Sequence, residues 1–183
     1  MSVVTVVGDP WPSSSTLAVA TAAAGAITRA AGLAGRPQTI DLCVLARRLL
    51  LPEPSPAVED AIEQVTAADL LLVASPTVNG TYTGLLKVFL DRLPHRALAR
   101  AVALPLMVTS APRHAEAVEL HLRPLLVELG ATVPAPGLAV LEPDLRRLDA
   151  VLEPWADRVA GRLGALLPNA AGGPAVPAAA HAV

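Results

Sequence analysis

Long apolar runs, each followed by a helical segment, constrain the fold of this chain more than any other feature. The runs SVVTVV at 2–7 and DLLLVAS at 69–75 are apolar nearly throughout and end at Gly or Pro. Such runs are typical of strands buried on both faces of a parallel sheet, because helices cover both sides of such a sheet. Strands that alternate with helices imply right-handed crossovers, and the chain is therefore predicted to have an α/β fold.

The rest of the sequence continues this alternation. Strands are predicted at 2–7, 38–42, 69–75, 101–109 and within 132–141, and helices at 16–31, 57–68, 83–93, 113–129 and 143–167. Two prolines disagree with these elements: Pro105 would remove a ladder hydrogen bond, and Pro124 should kink or split its helix. Ligands of such sheets bind outside the carboxyl ends of the strands, so we expect function in the loops after the first, third and fourth strands.

Length and charge limit the remaining possibilities. The 183 residues suit one domain, which we place at 1–167, and the Ala/Gly/Pro-rich stretch 168–183 is predicted to be disordered. Charged residues make up 16% of the chain and the net charge is −2, so no basic face for nucleic acid is expected. No apolar stretch approaches the roughly 20 residues of a membrane span. No secretory signal is recognisable, and a cytoplasmic protein is expected.

A single cysteine, Cys43, excludes an internal disulfide and a thiolate metal cluster. Its expected role is that of a small buried hydrophobic residue. The sequence predicts no metal site.

The stretch GDPWPSSST joins the first strand to a helix N-terminus, which offers unpaired N–H groups and a positive dipole end to a phosphate. The hydroxyls of Ser14, Ser15 and Thr16 add donors, but the same residue types also cap helices, so both interpretations stay open. The first basic residue is Arg29, far along the helix, and the loop carries Asp9. A phosphate here would rest on amides and hydroxyls, and would bind less tightly than beside an arginine.

The stretch SPTVNGTYTGLLKVFLD follows the third strand and is the most informative in the chain. Asn79 and Gly80 form a strong turn signal, and Thr83 can cap the next helix. Small residues let the backbone approach a flat ring and present N–H groups to its polar edge. Tyr82, the only tyrosine, is either a half-buried packing residue or a contact of that ring.

Three stretches resemble the NAD(P)H-dependent FMN reductases of the flavodoxin-like superfamily, including those that feed two-component monooxygenases such as alkanesulfonate monooxygenase. GDPWPSSST is similar to the family's phosphate loop G-x-P-R-x-x-S-x-T. SPTVNGTYTGLLKVFLDRLP is similar to the flavin-loop pattern that ends in G-x-L-K-x-[FL]-[LI]-D, and LPLMVTSAPRHAEAVELHLRPLLVELGA resembles the fourth strand and its helix. The likeness covers about residues 2–165. It implies a flavodoxin-like three-layer sandwich with a five-stranded parallel sheet in the order 2-1-3-4-5.

The resemblance also implies site residues. Those assigned to FMN are Ser14, Ser15, Thr16, Pro76, Thr77, Val78, Asn79, Gly80, Thr109, Ser110 and Ala111. Those assigned to the second substrate are Tyr82, Arg113 and His114. The chain departs from the family pattern at Trp11 and Ser15, where arginine is usual, and at Val78, where tyrosine is frequent.

The two residues after the third loop have competing interpretations. Arg113 can attract a phosphate of a pyridine nucleotide, or it can form a helical i,i+3 ion pair with Glu116. His114 can line the approach of the nicotinamide or lie at the surface. No catalytic nucleophile or base is predicted, because hydride would pass from nicotinamide C4 to flavin N5 and the cofactor carries the chemistry.

We therefore expect an NAD(P)H:FMN oxidoreductase that uses NADPH or NADH and can supply reduced FMN to a flavin-dependent monooxygenase. Two alternatives stay open: a quinone, azo or chromate reductase that holds FMN tightly, and a flavodoxin-like module with a degenerate site. Apolar residues lie on more than one face of the segment 113–129, which predicts a homodimer or homotetramer.

Overall fold

The computed structural model describes residues 1–167, and the predicted disordered tail at 168–183 lies outside the described residues. The described strands form one five-stranded parallel sheet in the order β2-β1-β3-β4-β5. The strands are β1 Val3–Val7, β2 Gln38–Asp41, β3 Leu70–Pro76, β4 Val102–Thr109 and β5 Leu138–Leu141. This arrangement confirms the predicted α/β class and strand order.

Helices cover both faces of the sheet and complete the three-layer sandwich. The α-helices are α1 Ser15–Ala30, α2 Leu42–Leu49, α3 Pro56–Thr66, α4 Gly84–Leu90, α5 Arg123–Glu128 and α6 Leu148–Leu163. One hydrophobic cluster joins α1 and α6 to one face of the sheet, and a second cluster joins α2, α3, α4 and α5 to the other. Among residues 1–167, no helix combines the length and the hydrophobicity that a membrane crossing requires.

The second strand was predicted to include Leu42, but that residue begins α2, a helix that the sequence interpretation missed. The Asp41 carboxylate accepts a hydrogen bond from the Cys43 N–H at 3.0 Å and caps this helix. Leu42, Leu45 and Leu49 are buried at helical spacing. Cys43 is only half-buried, not buried as expected, and its thiol donates to the carbonyl oxygen of Pro10 at 3.3 Å.

The predicted helix 113–129 is divided into three pieces, as Pro124 suggested. A 3₁₀ turn at Pro112–His114 precedes a π-helical turn at Val118–Leu122, and α5 follows directly. Pro124 lies in the first turn of α5, directly after the π turn, whose last hydrogen bond runs from the Arg123 N–H to the Val118 carbonyl oxygen. The predicted helix 143–167 is likewise shorter, because a 3₁₀ turn at Glu142–Arg147 precedes α6.

Pro105 lies in the interior of β4, at a point where the neighbouring strand is interrupted. Ala103 donates to the carbonyl oxygen of Thr132 at 2.8 Å, whereas the β4–β5 ladder resumes only at Leu138. Because alternate residues of a strand direct their N–H groups to the same side, Pro105 would have donated into this gap. The proline therefore removes no ladder bond, and the strand prediction at 101–109 is confirmed for residues 102–109.

Candidate functional site

Three loops follow the carboxyl ends of β1, β3 and β4: loop 1 at 8–14, loop 2 at 77–83 and loop 3 at 110–114. The strands β1, β3 and β4 are neighbours and run parallel, so the three loops lie side by side at one edge of the sheet. All three sequence stretches that predicted function therefore meet where α/β sheets bind their ligands.

Hydrogen bonds hold loops 1 and 2 in a fixed relation to each other and to the neighbouring strands. The Gly8 N–H donates to the carbonyl oxygen of Ala74 in β3 at 2.8 Å. The hydroxyl of Thr83, at the end of loop 2, donates to the Gly8 carbonyl oxygen. The Thr77 N–H donates to the carbonyl oxygen of Val108 in β4 at 2.8 Å. Loop 1 is thus tied to β3 and to loop 2, and loop 2 is tied to β4.

Thr83 connects loop 2 to α4 as well as to loop 1. Its N–H donates to the Ser75 hydroxyl at 3.0 Å, and its hydroxyl accepts from the Leu86 N–H at 3.1 Å. The helix cap predicted for this threonine is confirmed. Leu86 also lies against loop 1, since a Cβ built on Gly8 would lie 2.5 Å from its Cβ. No side chain fits at Gly8 without displacement of α4.

Loop 1 ends in a capped helix that still has free donors. The Ser14 hydroxyl accepts from the Leu17 N–H at 3.1 Å, and the Ser14 carbonyl accepts from Ala18 at 3.2 Å. The N–H groups of Ser15 and Thr16 precede these bonds and have no intrahelical acceptor. The Thr16 hydroxyl is buried without a partner among the described residues. Capping is therefore present, and the remaining donors suit an oxyanion such as a phosphate.

The tip of loop 2 is a tight two-residue turn. Asn79 and Gly80 have φ values of 51° and 82°. Val78 and Thr81 exchange two main-chain hydrogen bonds at 2.8 and 3.1 Å across them. Positive φ at both central positions is the geometry of a type I′ turn. The N–H groups of Asn79 and Gly80 take no part in this pair and are available to a ligand.

Loop 3 brings His114 to this turn. A Cβ built on Gly80 would lie 3.9 Å from His114 Cδ2, so the imidazole is next to the tip of loop 2. The buried hydroxyl of Thr109 accepts from the Ala111 N–H at 3.3 Å, while Ser110 is exposed. Sequence spacing alone did not predict that Gly80 and His114 lie next to each other.

Arg113 is exposed, and within residues 1–167 it makes no ion pair with Glu116. The structure therefore gives no support to the helical ion pair considered from the sequence. Trp11 is 74% exposed, and Tyr82 is half-buried against the hydrophobic cluster under loop 2. Tyr82 therefore serves at least as a packing residue.

The chain is similar to several known flavin reductases. A family model described as NADPH-dependent FMN reductase matches residues 1–144. The FMN reductase (NADPH) of Escherichia coli is 44% identical over 77 residues, which cover 42% of this chain and 40% of that protein. The NADH-dependent FMN reductase SfnF of Pseudomonas fluorescens is 30% identical over 163 residues, which cover 87% of this chain and 86% of that one.

A solved structure of an FMN oxidoreductase has a similar fold, and its alignment with this chain covers most of both chains. The apo form of an NADH:FMN oxidoreductase (EMOB) has a TM-score of 0.71 and 30% identity, covering 85% of this chain and 88% of that chain. The chain spans only 40% to 53% of the length of the first three curated FMN reductases that it matches. With a family model matched over most of the chain and a relative aligned along nearly its whole length, the chain belongs to the NADPH-dependent FMN reductase family.

Proposed function

We propose that this protein is an NAD(P)H-dependent FMN reductase, which transfers electrons from NADPH or NADH to FMN. The observation that carries this proposal is the arrangement of the three loops. The stretches that resemble the family's flavin-binding segments lie side by side, and hydrogen bonds from Gly8, Thr77 and Thr83 hold them together. Membership of the FMN reductase family supports the same activity.

The donor set of the site fits FMN at both of its ends. At loop 1 the free N–H groups of Ser15 and Thr16 suit the phosphate, and the buried Thr16 hydroxyl has no protein partner within residues 1–167. At loop 2 the positive φ of Gly80 disfavours a side chain, so that main chain would face the ligand. The residues proposed to hold FMN are Ser14, Ser15, Thr16, Pro76, Thr77, Val78, Asn79, Gly80, Thr109, Ser110 and Ala111.

Bound FMN supplies the redox chemistry, so the protein needs no nucleophile of its own. The protein would bind FMN, orient it and polarise its ring. The amides of Asn79 and Gly80 would donate to the polar edge of the ring and favour negative charge there. Because the turn is closed by its own hydrogen bonds, these donors are already placed before a ligand arrives.

The proposed pyridine-nucleotide residues are Tyr82, Arg113 and His114, which lie on or beside loops 2 and 3. We expect Arg113→Ala to raise the KM for NADPH about three- to tenfold, because an exposed guanidinium without an ion pair among the described residues can meet a nucleotide phosphate. The kcat and the Kd for FMN should stay unchanged. Steady-state kinetics with varied NADPH would measure this effect.

Arg100→Ala is the matched control for that experiment. Arg100 is also exposed, but it lies just before β4, at the opposite end of the sheet from the loops. The control should leave the KM for NADPH unchanged. Equal effects of the two substitutions would contradict a specific role for Arg113.

Steady-state oxidation of NADH and NADPH with varied FMN tests the proposed activity directly. We expect FMN-dependent oxidation of at least one nucleotide. A purified protein that oxidises neither would overturn the proposal. Gel filtration adds a second result: a colourless protein indicates that FMN is a released substrate, whereas a retained yellow colour indicates a reductase that keeps FMN and acts on a quinone, azo compound or chromate.

We also propose that the protein self-associates and can pass reduced FMN to a flavin-dependent monooxygenase. Leu122 and Leu126 are buried in the monomer, but Leu120 and Val127 on the same segment are 64% and 53% exposed. Exposed apolar side chains of this size favour a subunit contact. Light scattering would distinguish a monomer from the expected homodimer or homotetramer. A cytoplasmic location stays a prediction.

A further inference from the structure

Loop 1 contains a buried carboxylate six residues before Ser15, the first of the N–H donors proposed for phosphate. Asp9 is only 4% exposed, although the two residues that follow it, Pro10 and Trp11, are exposed. Its Oδ1 accepts a hydrogen bond from the Trp11 N–H at 3.0 Å. The preceding residue, Gly8, is hydrogen-bonded to both β3 and loop 2, which fixes the backbone from which the Asp9 side chain extends.

No positive side chain balances this carboxylate in its own segment. Loop 1 contains no lysine or arginine, and Asp9 has no ion pair within residues 1–167. The first basic residue, Arg29, lies in the last turn of α1. At 1.5 Å per residue, it begins about 20 Å along the helix from Ser15. The donors at the start of α1 are thus neutral, and the only full charge in loop 1 is negative.

A phosphate bound at α1 meets two opposing effects. The free amides and the positive end of the helix dipole attract it. A buried carboxylate in the same loop repels it, and repulsion between like charges is strengthened where water is excluded. The ring of a flavin lies outside this conflict, because its proposed contacts are in loops 2 and 3.

We propose that Asp9 sets the flavin specificity of this site, so that riboflavin is bound about as well as FMN. The inference rests on the proposed function, because it assumes that loop 1 faces the end of the flavin that carries the phosphate. The ligand class is then an isoalloxazine with or without a 5′-phosphate. Asp9 is a specificity-determining residue and takes no part in electron transfer.

Equilibrium titration by flavin fluorescence quenching tests this inference without turnover. For the unaltered protein we expect Kd values for oxidised FMN and riboflavin that differ by less than about threefold. Asp9→Asn keeps the Oδ1 acceptor for Trp11 and removes the charge. It should lower the Kd for FMN about five- to tenfold and change the Kd for riboflavin less than twofold.

Two further variants make the result specific. Asp60→Asn removes the same charge from an exposed position on α3, beside Ser2 and Gln38 at the amino ends of β1 and β2, and should change neither Kd. Asp9→Ser removes the charge with a smaller side chain. It provides a second measurement of both flavin Kd values if thermal unfolding shows that Asp9→Asn is destabilised.

The outcomes separate this inference from the activity on which it rests. The inference is wrong if the unaltered protein binds FMN more than about threefold tighter than riboflavin, or if both uncharged variants shift the two Kd values equally. In either case FMN-dependent NAD(P)H oxidation would still support the proposed function. Absence of binding to both flavins, together with absence of that oxidation, would instead reject the proposed function.

Discussion

Replacement of Gly8 by alanine is expected to lower the free energy of unfolding by about 3 kcal/mol and to abolish measurable flavin binding. The new Cβ would lie 2.5 Å from Leu86 Cβ and 3.2 Å from Leu86 Cα. The nearest atoms belong to the base and backbone of a buried helical residue, so no flexible side-chain end can move aside. Relief of the clash requires α4 to shift, and loop 2 shifts with it.

Urea denaturation and a thermal melt would measure this loss. For a protein of this size, about 3 kcal/mol corresponds to roughly 6–12 °C in Tm. Gly25→Ala is the control, because Gly25 lies inside α1 and its added Cβ would approach only the Arg29 guanidinium, at 3.4 Å. The control should stabilise the protein by about 0.5–1 kcal/mol. A Gly8→Ala variant as stable as the control would contradict the packing described for Leu86.

The second large effect is expected at Thr83, whose hydroxyl makes two buried hydrogen bonds. Thr83→Val keeps the shape of the side chain but leaves the Gly8 carbonyl and the Leu86 N–H without their partner. Each buried group that loses its partner costs about 1–3 kcal/mol, so for the two groups we expect a loss of about 2–6 kcal/mol in the free energy of unfolding. Flavin affinity should fall as well, because loops 1 and 2 are no longer tied together.

Two substitutions control for this result. Thr83→Ser keeps the hydroxyl and should recover most of the stability and the flavin affinity. Thr66→Val removes an exposed hydroxyl that bonds only to the Glu63 carbonyl, and should cost less than about 0.5 kcal/mol. If Thr83→Val were no more harmful than Thr66→Val, the hydroxyl would not be the link between the two loops.

The strands were predictable because burial on both faces of the sheet requires long apolar runs, whereas their order was expected only from the resemblance to the FMN reductases. The run at 69–75 differs from the observed β3 by one residue at each end. The turn at Asn79 and Gly80 was equally readable, since few residue pairs accept positive φ twice in succession. The cap at Thr83 followed from its residue type and position.

Other features depended on contacts that no local pattern contains. The helix α2 was missed because it begins directly after β2 without a linker, although Asp41 and the spacing of Leu42, Leu45 and Leu49 carried its signal. The tolerance of Pro105 depends on where another strand leaves the sheet, which its own neighbours in sequence do not reveal. The contact of His114 with Gly80 likewise depends on how two loops pack.

The hydrogen bonds from Gly8, Thr77 and Thr83 have a consequence for the lifetime of a complex. Because loops 1 and 2 are ordered before a ligand binds, little conformational entropy is lost on binding. The association rate is then governed by diffusion and by access to the site. The dissociation rate of the bound flavin, and hence its residence time, then depends on the strength of the contacts alone. Under the specificity proposed for Asp9, FMN would leave the site sooner, as the proposed supply of reduced FMN to a second enzyme requires.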